Sequence, residues 1–229
     1  MWGLRSVFEA VNWKNYFRKS TIDFPDPHYA DEDGLLAIGG KLDIPTLVTA
    51  YYHGIFPWPQ DGLPMLWFSP GHRGILEFKD LHLPKSLQKE IRKPKYSYSM
   101  NTAFEKVIAE CAKQMRPGQQ GTWILPVMKK QYLEFHRSGF AHSFEVWEEG
   151  DLIGGLYGVE VAGVFSGESM FFKKPNASKL ALVHAVECLR KKGMSWIDIQ
   201  MVTPVLESMG GKYIDRSDYL EKIEKQRSE

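Results

Sequence analysis

The sequence is poor in cysteine and has no long apolar run. Its 229 residues include two cysteines, Cys111 and Cys188, with no C-x-x-C pair and no metal-ligand spacing. We therefore expect neither a disulfide framework nor a zinc site, and we expect both thiols to stay reduced in a cytosolic protein. No apolar run is long enough to span a bilayer, and charged residues interrupt the first 20 positions, which argues against a secretory signal peptide.

The chain also lacks a large net charge. Its formal charge is +1, so binding to nucleic acid would have to come from a local basic patch rather than from the field of the whole protein. One such patch lies on a predicted helix, where four basic residues fall on one face: Lys85, Lys89, Arg92 and Lys93. Such a run is most often simply the solvent-exposed face of a helix. The alternative, which makes a specific functional claim, is that these residues contact the phosphates of a nucleic acid.

Proline and glycine divide the chain into two parts. Both are dense over residues 21–75, where the pattern predicts short strands, turns and one helix over Pro45–His53. The remainder is more regular, and Asn176 is predicted to cap one of its helices. Start and stop signals there predict helices over 83–94, 125–139 and 176–193, and apolar residues at helical spacing predict one over 102–114. The pattern also predicts three strands within 142–172, a strand over 194–202, a short helix from Thr203, a strand over 212–214 and a helix over 217–225.

These elements predict an α+β fold with a small N-terminal α/β module over residues 1–72 and a larger mixed-sheet domain over residues 73–229. The strand over 164–171, the helix over 177–192 and the strand over 195–201 have the length of a parallel βαβ unit. Ligands in such sheets tend to lie at the strand ends where the connections diverge.

Two adjacent strands carry polar residues at such ends. Side chains alternate along a strand, so Asp198 and Gln200 share one face of "SWIDIQMV" with Trp196, opposite Ile197, Ile199 and Met201. A buried carboxylate or amide without a partner costs about 1–3 kcal/mol. The pattern therefore indicates a polar cavity that holds Asp198, Gln200 and also Glu168, which follows Gly167 in "FSGESMFF".

Structural explanations compete with this one. Asp198 and Gln200 would also be satisfied by capping helices, or by pairing with each other and with a lysine, and Glu168 would be unremarkable on an exposed turn. Trp58 and Trp123 either pack under loops or offer a flat surface to a base. The histidines at positions 136, 142 and 184 have no metal-ligand pattern, so we interpret them as core or surface residues.

Several longer motifs occur together in order along the chain: "DGLLAIGGKL", "AYYHGIFPW", "WFSP", "GTWI", "AHSFEVW", "GGLYGV", "FSGESMF", "NASK" and "DIQ". In order and approximate spacing the chain resembles the leucyl/phenylalanyl-tRNA–protein transferases over about residues 23–220. The resemblance implies that the larger domain is similar to acyl-CoA N-acyltransferases, that is, GNAT-like. It implies transfer of Leu, Phe and less readily Met from aminoacyl-tRNA to the N-terminal Arg or Lys of a protein, which marks that protein for N-degron proteolysis.

The resemblance also implies roles for individual residues. Asp198 and Gln200 match the catalytic Asp-x-Gln segment, and Glu168 matches a glutamate of the active-site pocket. Trp58 and Trp123 match residues that hold the terminal adenosine of the donor, and Lys85 to Lys93 match the tRNA acceptor-stem contact region. The remaining matches are two further site tyrosines, Tyr51 and Tyr132, and the apolar pocket for the donor side chain: Leu156, Phe165, Met170 and Leu182, with Ala185 where some relatives carry Phe.

The same resemblance implies a cytoplasmic enzyme, expected to be a monomer, with no metal, no dissociable cofactor and no membrane partner. Three alternatives remain at this point, of which one is a transferase with a different acceptor choice, for example acidic N-termini. A CoA-dependent N-acetyltransferase on the same fold would need a glycine-rich turn before the helix, and "KKPNASK" has no glycine. A non-catalytic RNA-binding module would explain the basic helix and the aromatics, but not Glu168, Asp198 and Gln200.

Overall fold

The computed structural model describes residues 12–17, 19–114 and 122–228. These residues form α-helices and β-strands that alternate along most of the chain. The helices are α1 Lys14–Phe17, α2 Ile44–Tyr52, α3 Lys85–Ile91, α4 Phe104–Lys113, α5 Pro126–Arg137, α6 Ala177–Lys191, α7 Pro204–Glu207 and α8 Arg216–Ser228. The strands are β1 Leu35–Ile38, β2 Phe56–Pro57, β3 Leu66–Phe68, β4 His72–Glu77, β5 Tyr96–Met100, β6 Ala141–Glu148, β7 Asp151–Val161, β8 Val164–Phe172, β9 Trp196–Gln200 and β10 Lys212–Asp215.

A small antiparallel sheet in the order β1-β3-β2 lies in the N-terminal part. Helix α2 precedes β2 and starts as its sequence predicts. The side chain of Asp43 accepts a hydrogen bond from the amide of Thr46 at 3.0 Å, and Pro45 occupies the first turn. The predicted helix over Pro45–His53 is thus confirmed to within one residue at each end.

The larger sheet has seven strands in the order β10-β4-β9-β8-β7-β6-β5. Its pairs are antiparallel except β8 and β9, which run parallel and are joined by α6. The predicted βαβ crossover is therefore confirmed. So are the two hairpin turns, where Glu149-Gly150 and Ala162-Gly163 all have positive φ, as tight hairpins require.

Two strands of this sheet were not predicted as such. Strand β4 lies at the end of the Pro/Gly-dense region, and β5, with the sequence YSYSM, lies between two predicted helices. Asn176 also departs from the prediction. It precedes α6 in the left-handed region at φ 67° and its side chain makes no capping hydrogen bond.

The core has two large clusters on opposite faces of the large sheet. One combines α2 residues such as Leu47 with α4 and α5 residues such as Val107 and Phe135, and the other packs α6 against β6 to β9. The chain changes sheets between Phe68 and His72, yet residues from both parts share the first cluster. The boundary at residue 72 therefore stays a prediction.

Candidate active site

Glu168 is the extra residue of a β-bulge. The β7–β8 register pairs Tyr157 with Ser169 and then Gly158 with Gly167, so Glu168 has no partner on β7. Bulges of this kind redirect a side chain relative to the regular alternation of the strand. A Cβ atom on Gly158 would lie 2.4 Å from both the ring of Phe165 and the carbonyl oxygen of Ser166, so only glycine fits beside the bulge.

Strand β9 is irregular at the same level of the sheet. Its register with β4 pairs Ile75 with Asp198 and then Gly74 with Gln200, which leaves Ile199 as the extra residue. Gln200 ends the strand with φ 58°, a left-handed conformation that costs roughly 1 kcal/mol for a residue other than glycine. The predicted alternation therefore holds as far as Asp198 and Ile199, but Met201 lies beyond the strand and is exposed.

The parallel strands β8 and β9 register at one residue pair, Ser166 with Asp198. Beyond it, two side chains connect the strands. Gln200 donates a hydrogen bond from Nε2 to Oε1 of Glu168 at 2.8 Å. The structure thus brings together the two predicted residues, but only Gln200 ends its strand. Glu168 lies in the middle of β8, which continues to Phe172, so its predicted place at a strand end was wrong.

Two tyrosines complete the surroundings of Glu168. The hydroxyl of Tyr51, on α2, donates to Oε1 of Glu168 at 2.8 Å, and that of Tyr132, on α5, donates to Oε2 at 3.3 Å. The two hydroxyls also contact each other. Both tyrosine side chains are buried, whereas Glu168 remains partly accessible. The carboxylate is therefore partly accessible and has hydrogen-bond donors around it.

The environment changes the acidity of these groups. Burial raises the pKa of Glu168 to about 7, although hydrogen bonds from Tyr51 and the charge of Arg73 act in the opposite direction. Burial and the negative charge of Glu168 raise the pKa of Tyr51 and Tyr132 well above the ordinary tyrosine value. Near neutral pH, Glu168 is therefore present in both protonation states while both phenols stay protonated.

Asp198 has a different environment. It is 0% exposed and forms a two-point ion pair with Arg73, which is 1% exposed, at 2.8 and 2.7 Å. Burial alone would raise the pKa of Asp198, but the guanidinium and the hydrogen bonds hold it below the ordinary value. The sequence allowed Asp198 either to cap a helix, to pair with a lysine or to face a cavity. The structure shows that it pairs with a cation, which is an arginine and not a lysine. Asp198 itself does not line a cavity.

The two predicted donor-binding tryptophans lie together. The rings of Trp58 and Trp123 are stacked with centroids 5.4 Å apart and planes at 18°. Trp58 also meets the edge of Phe56 at 6.4 Å, and the Phe56 ring lies 4.6 Å from the guanidinium carbon of Arg73. The aromatic pair is thereby connected by direct contacts to the buried ion pair.

The predicted apolar pocket residues belong to the cluster under α6. Four of them, Leu156, Phe165, Leu182 and Ala185, are buried in it, and Met170 packs against it while remaining partly accessible. Met170 and Leu156 are cross-strand neighbours on β8 and β7. The structure therefore places the pocket candidates together, and their contact with a donor side chain stays a prediction.

The basic residues Lys85, Lys89, Arg92 and Lys93 are all exposed. Helix α3 ends at Ile91, so Arg92 is the C-terminal cap and Lys93 lies outside the helix, paired with Glu90 at 2.7 Å. A role in tRNA binding stays a prediction.

Sequence reasoning missed three partners of Asp198: Arg73, Ser166 and Tyr219. The signal for Arg73 was available, since a lone arginine in the apolar strand "HRGILE" and a lone aspartate in "WIDIQ" each require an opposite charge. Ser166 and Tyr219 had no such signal. The predicted core or surface role of the histidines agrees with the structure, where the rings of His136 and His184 contact backbone carbonyl oxygens and His142 contacts Asn101.

Within the described ranges, no group of three or more His, Cys, Asp and Glu residues is arranged to hold a metal ion. None of the helices in that part of the chain has the length and apolar character needed to cross a membrane.

Solved structures give weak likenesses only. The chain matches L-PGS from Bacillus licheniformis at 12% identity and TM-score 0.39, covering 66% of this chain and 49% of that one. It matches a GCN5-related N-acetyltransferase-like protein from Streptococcus suis at 14% identity and TM-score 0.34, covering 63% and 60%.

Sequence comparison is far more specific. A family model described as "Leucyl/phenylalanyl-tRNA protein transferase" matches residues 75–224, and one for the N-terminal domain of the same family matches residues 40–71. Proteins named leucyl/phenylalanyl-tRNA–protein transferase are 49% identical over 87% of this chain and 86% of the relative in Anaeromyxobacter sp. strain K, and 45% identical over 90% and 98% in Christiangramia forsetii. The chain therefore belongs to the leucyl/phenylalanyl-tRNA–protein transferase family.

Proposed function

We propose that this protein transfers Leu and Phe, and less readily Met, from aminoacyl-tRNA to the N-terminal Arg or Lys of proteins, with formation of a peptide bond. The observation that carries the proposal is a hydrogen-bonded carboxylate–amide pair, the partly accessible Glu168 and the buried Gln200, within a chain of this family. We place the reaction in the cytoplasm, where aminoacyl-tRNA is made, in a monomeric enzyme whose products enter N-degron proteolysis.

Glu168, rather than Asp198, is the carboxylate that meets the cationic acceptor. Asp198 is fully enclosed and its charge is already matched by Arg73. Glu168 is partly accessible, and its nearest neighbours, Tyr51 and Tyr132, are neutral. Of these two carboxylates, only Glu168 therefore offers an incoming ammonium or guanidinium group a negative charge that no cation among the described residues already pairs with.

Gln200 positions the attacking amine. Its Nε2 donates to Glu168, so its Oε1 is directed elsewhere and accepts a hydrogen bond from no described residue. That oxygen is the acceptor for an N–H of the substrate amine. Because the donor ester is already activated and an α-amino group has a pKa of about 7.7–8.0, orientation and removal of one proton are the main requirements.

The proposed reaction balances without a cofactor. The amine nitrogen forms a bond to the ester carbonyl carbon, and the bond from that carbon to the ribose oxygen of the tRNA breaks. The amine loses one proton and the ribose oxygen gains one. With a pKa of about 7, Glu168 is suited to accept the first proton and to return a proton to the leaving oxygen.

The donor occupies the surfaces around this pair. The stacked rings of Trp58 and Trp123 form a platform for the terminal adenine, and base stacking of this kind contributes about 1–3 kcal/mol. The apolar cluster that includes Met170 and Leu182 receives the donor side chain, and the exposed basic residues of α3 and its C-terminal end contact the acceptor stem.

Transfer of labelled Leu from Leu-tRNA to peptides that differ only in their first residue tests the proposal. We expect incorporation into peptides that begin with Arg or Lys and none into those that begin with Asp, Glu or Ala. Incorporation into the Asp or Glu peptides would retain the chemistry but contradict the acceptor assignment to Glu168. No incorporation from Leu-tRNA, Phe-tRNA or Met-tRNA would contradict the proposed function.

A further inference from the structure

The carboxylate of Asp198 has no capacity left for a substrate. Arg73 donates to both of its oxygens, at 2.8 and 2.7 Å. Oδ2 also accepts from the hydroxyls of Ser166 at 2.8 Å and Tyr219 at 2.9 Å, and Oδ1 accepts from the backbone amide of Gln200 at 2.9 Å. The carboxylate thus accepts five hydrogen bonds although it has about four lone-pair positions. Its side chain is also 0% exposed.

The bond to the Gln200 amide connects this buried group to the proposed reaction. Gln200 adopts a left-handed φ of 58° after the bulge at Ile199, and such a conformation persists only where its surroundings enforce it. The carboxylate of Asp198 fixes the Gln200 amide, and this backbone orientation aims the side chain at Glu168. Asp198 therefore acts through Gln200 and not on the substrate.

Asp198 is in turn fixed by residues from distant parts of the chain. Arg73 lies on β4 with its guanidinium carbon between the rings of Phe56 at 4.6 Å and Tyr219 at 4.7 Å. Tyr219 lies on α8, is 1% exposed and meets the ring of Trp196 edge-on at 6.2 Å. Residues of α8 and β4 therefore both hydrogen-bond to the carboxylate of Asp198.

We propose that Arg73 and Tyr219 are positioning residues for aminoacyl transfer, which set the conformation of Gln200 through Asp198. The inference rests on the proposed function, since it assigns these residues to the same reaction. Neither residue touches the substrate. Their effect is to keep Gln200 aligned with Glu168 and the incoming amine.

Hydroxyl deletions test this with little risk to folding. Tyr219→Phe and Ser166→Ala each remove one hydrogen bond to Asp198 and leave the ion pair intact. Ser143→Ala is a matched control, because the buried Ser143 donates at 2.5 Å to a different buried carboxylate, Glu145. We expect kcat to fall about tenfold in Tyr219→Phe, with KM for Leu-tRNA and peptide unchanged, while Ser143→Ala changes thermal stability without changing kcat.

A double-mutant cycle separates positioning from general destabilisation. If Tyr219 acts through Asp198, Tyr219→Phe lowers kcat in the otherwise unsubstituted enzyme but has little further effect in an Asp198→Asn background. Arg73→Lys keeps the charge but loses the two-point geometry, and we expect it to lose about a hundredfold in kcat. Equal fold-losses for Tyr219→Phe in both backgrounds, or unchanged kcat in Tyr219→Phe and Arg73→Lys, would overturn the inference. Absence of transfer by the unsubstituted protein would instead contradict the proposed function.

Discussion

Replacing Glu168 by Gln tests the electrostatic description of the site independently of activity. Glutamine keeps the shape of the side chain and remains neutral at every pH. The structure holds Glu168 among two buried tyrosines and Gln200, in surroundings that raise its pKa from 4.5 to about 7 because charging a partly buried carboxylate is costly. The unfolded chain has no such environment.

The sign and size of the effect follow from this difference. Between pH 4.5 and about 7, the folded protein binds the Glu168 proton more tightly than the unfolded chain does. The contribution of Glu168 to stability is therefore fully present below pH 4.5 and is lost as the pH rises through about 7. At about 1.4 kcal/mol per pH unit the full loss is about 3 kcal/mol, and partial solvent access to the side chain lowers it to about 2 kcal/mol between pH 5 and pH 8.

Urea unfolding at pH 5, 6, 7 and 8 measures the difference in unfolding free energy between Glu168→Gln and the unsubstituted protein. We expect the variant to gain about 2 kcal/mol in relative stability across this range. Glu148→Gln is the control, because the pKa of Glu148 is lowered by Lys174 and Lys95 and its charge does not change over these pH values. A pH-independent difference for Glu168→Gln would refute the argument that Glu168 is held in a costly environment.

Three further predictions follow from other parts of the site. Gln200→Gly should be about 1 kcal/mol more stable than Gln200→Ala in thermal unfolding, because glycine adopts the left-handed φ of 58° without strain; equal stability would contradict the strain. Gly158→Ala should destabilise the protein by about 3 kcal/mol in urea unfolding, since its Cβ would lie 2.4 Å from Phe165 and Ser166 atoms, and an unchanged midpoint would contradict the tight packing. Replacing the four exposed cations Lys85, Lys89, Arg92 and Lys93 by Ala should raise KM for Leu-tRNA and make that KM less dependent on salt. Transfer from a short aminoacyl-adenosine, which lacks the acceptor stem, should be unchanged. Equal effects on both donors would exclude tRNA contacts by these four residues.

Most of the helices and strands follow from sequence pattern alone. Apolar residues at helical spacing predict α4, and Pro126 with Gly139 predicts the bounds of α5. Asp43 with Pro45 predicts the start of α2, and the turn residues predict both hairpins. The strands β4 and β5 could not be predicted in this way. Each depends on pairing with distant strands, β4 with β9 and β10, and β5 with β6, rather than on a local signal.

In the candidate site, too, features with a local sequence signal could be predicted, and features that depend on contacts between distant parts of the chain could not. Alternation along "SWIDIQMV" and the βαβ crossover predict that Glu168 and Gln200 lie close together, and the structure joins them by a hydrogen bond, although Glu168 lies within β8 and not at its end. The two bulges that aim these side chains depend on register between strands, which a single sequence does not encode locally. For the same reason the enclosure of Asp198 by Arg73 and Tyr219 was not predicted.

Single-turnover transfer of Leu from Leu-tRNA to an Arg-initiated peptide by Gln200→Ala is the most direct test of the claim that Gln200 and Glu168 form the reaction centre. We predict that the rate of transfer falls about a hundredfold while the affinity for Leu-tRNA is retained, because the side chain orients the amine and does not bind the tRNA. A rate equal to that of the unsubstituted enzyme would contradict the account.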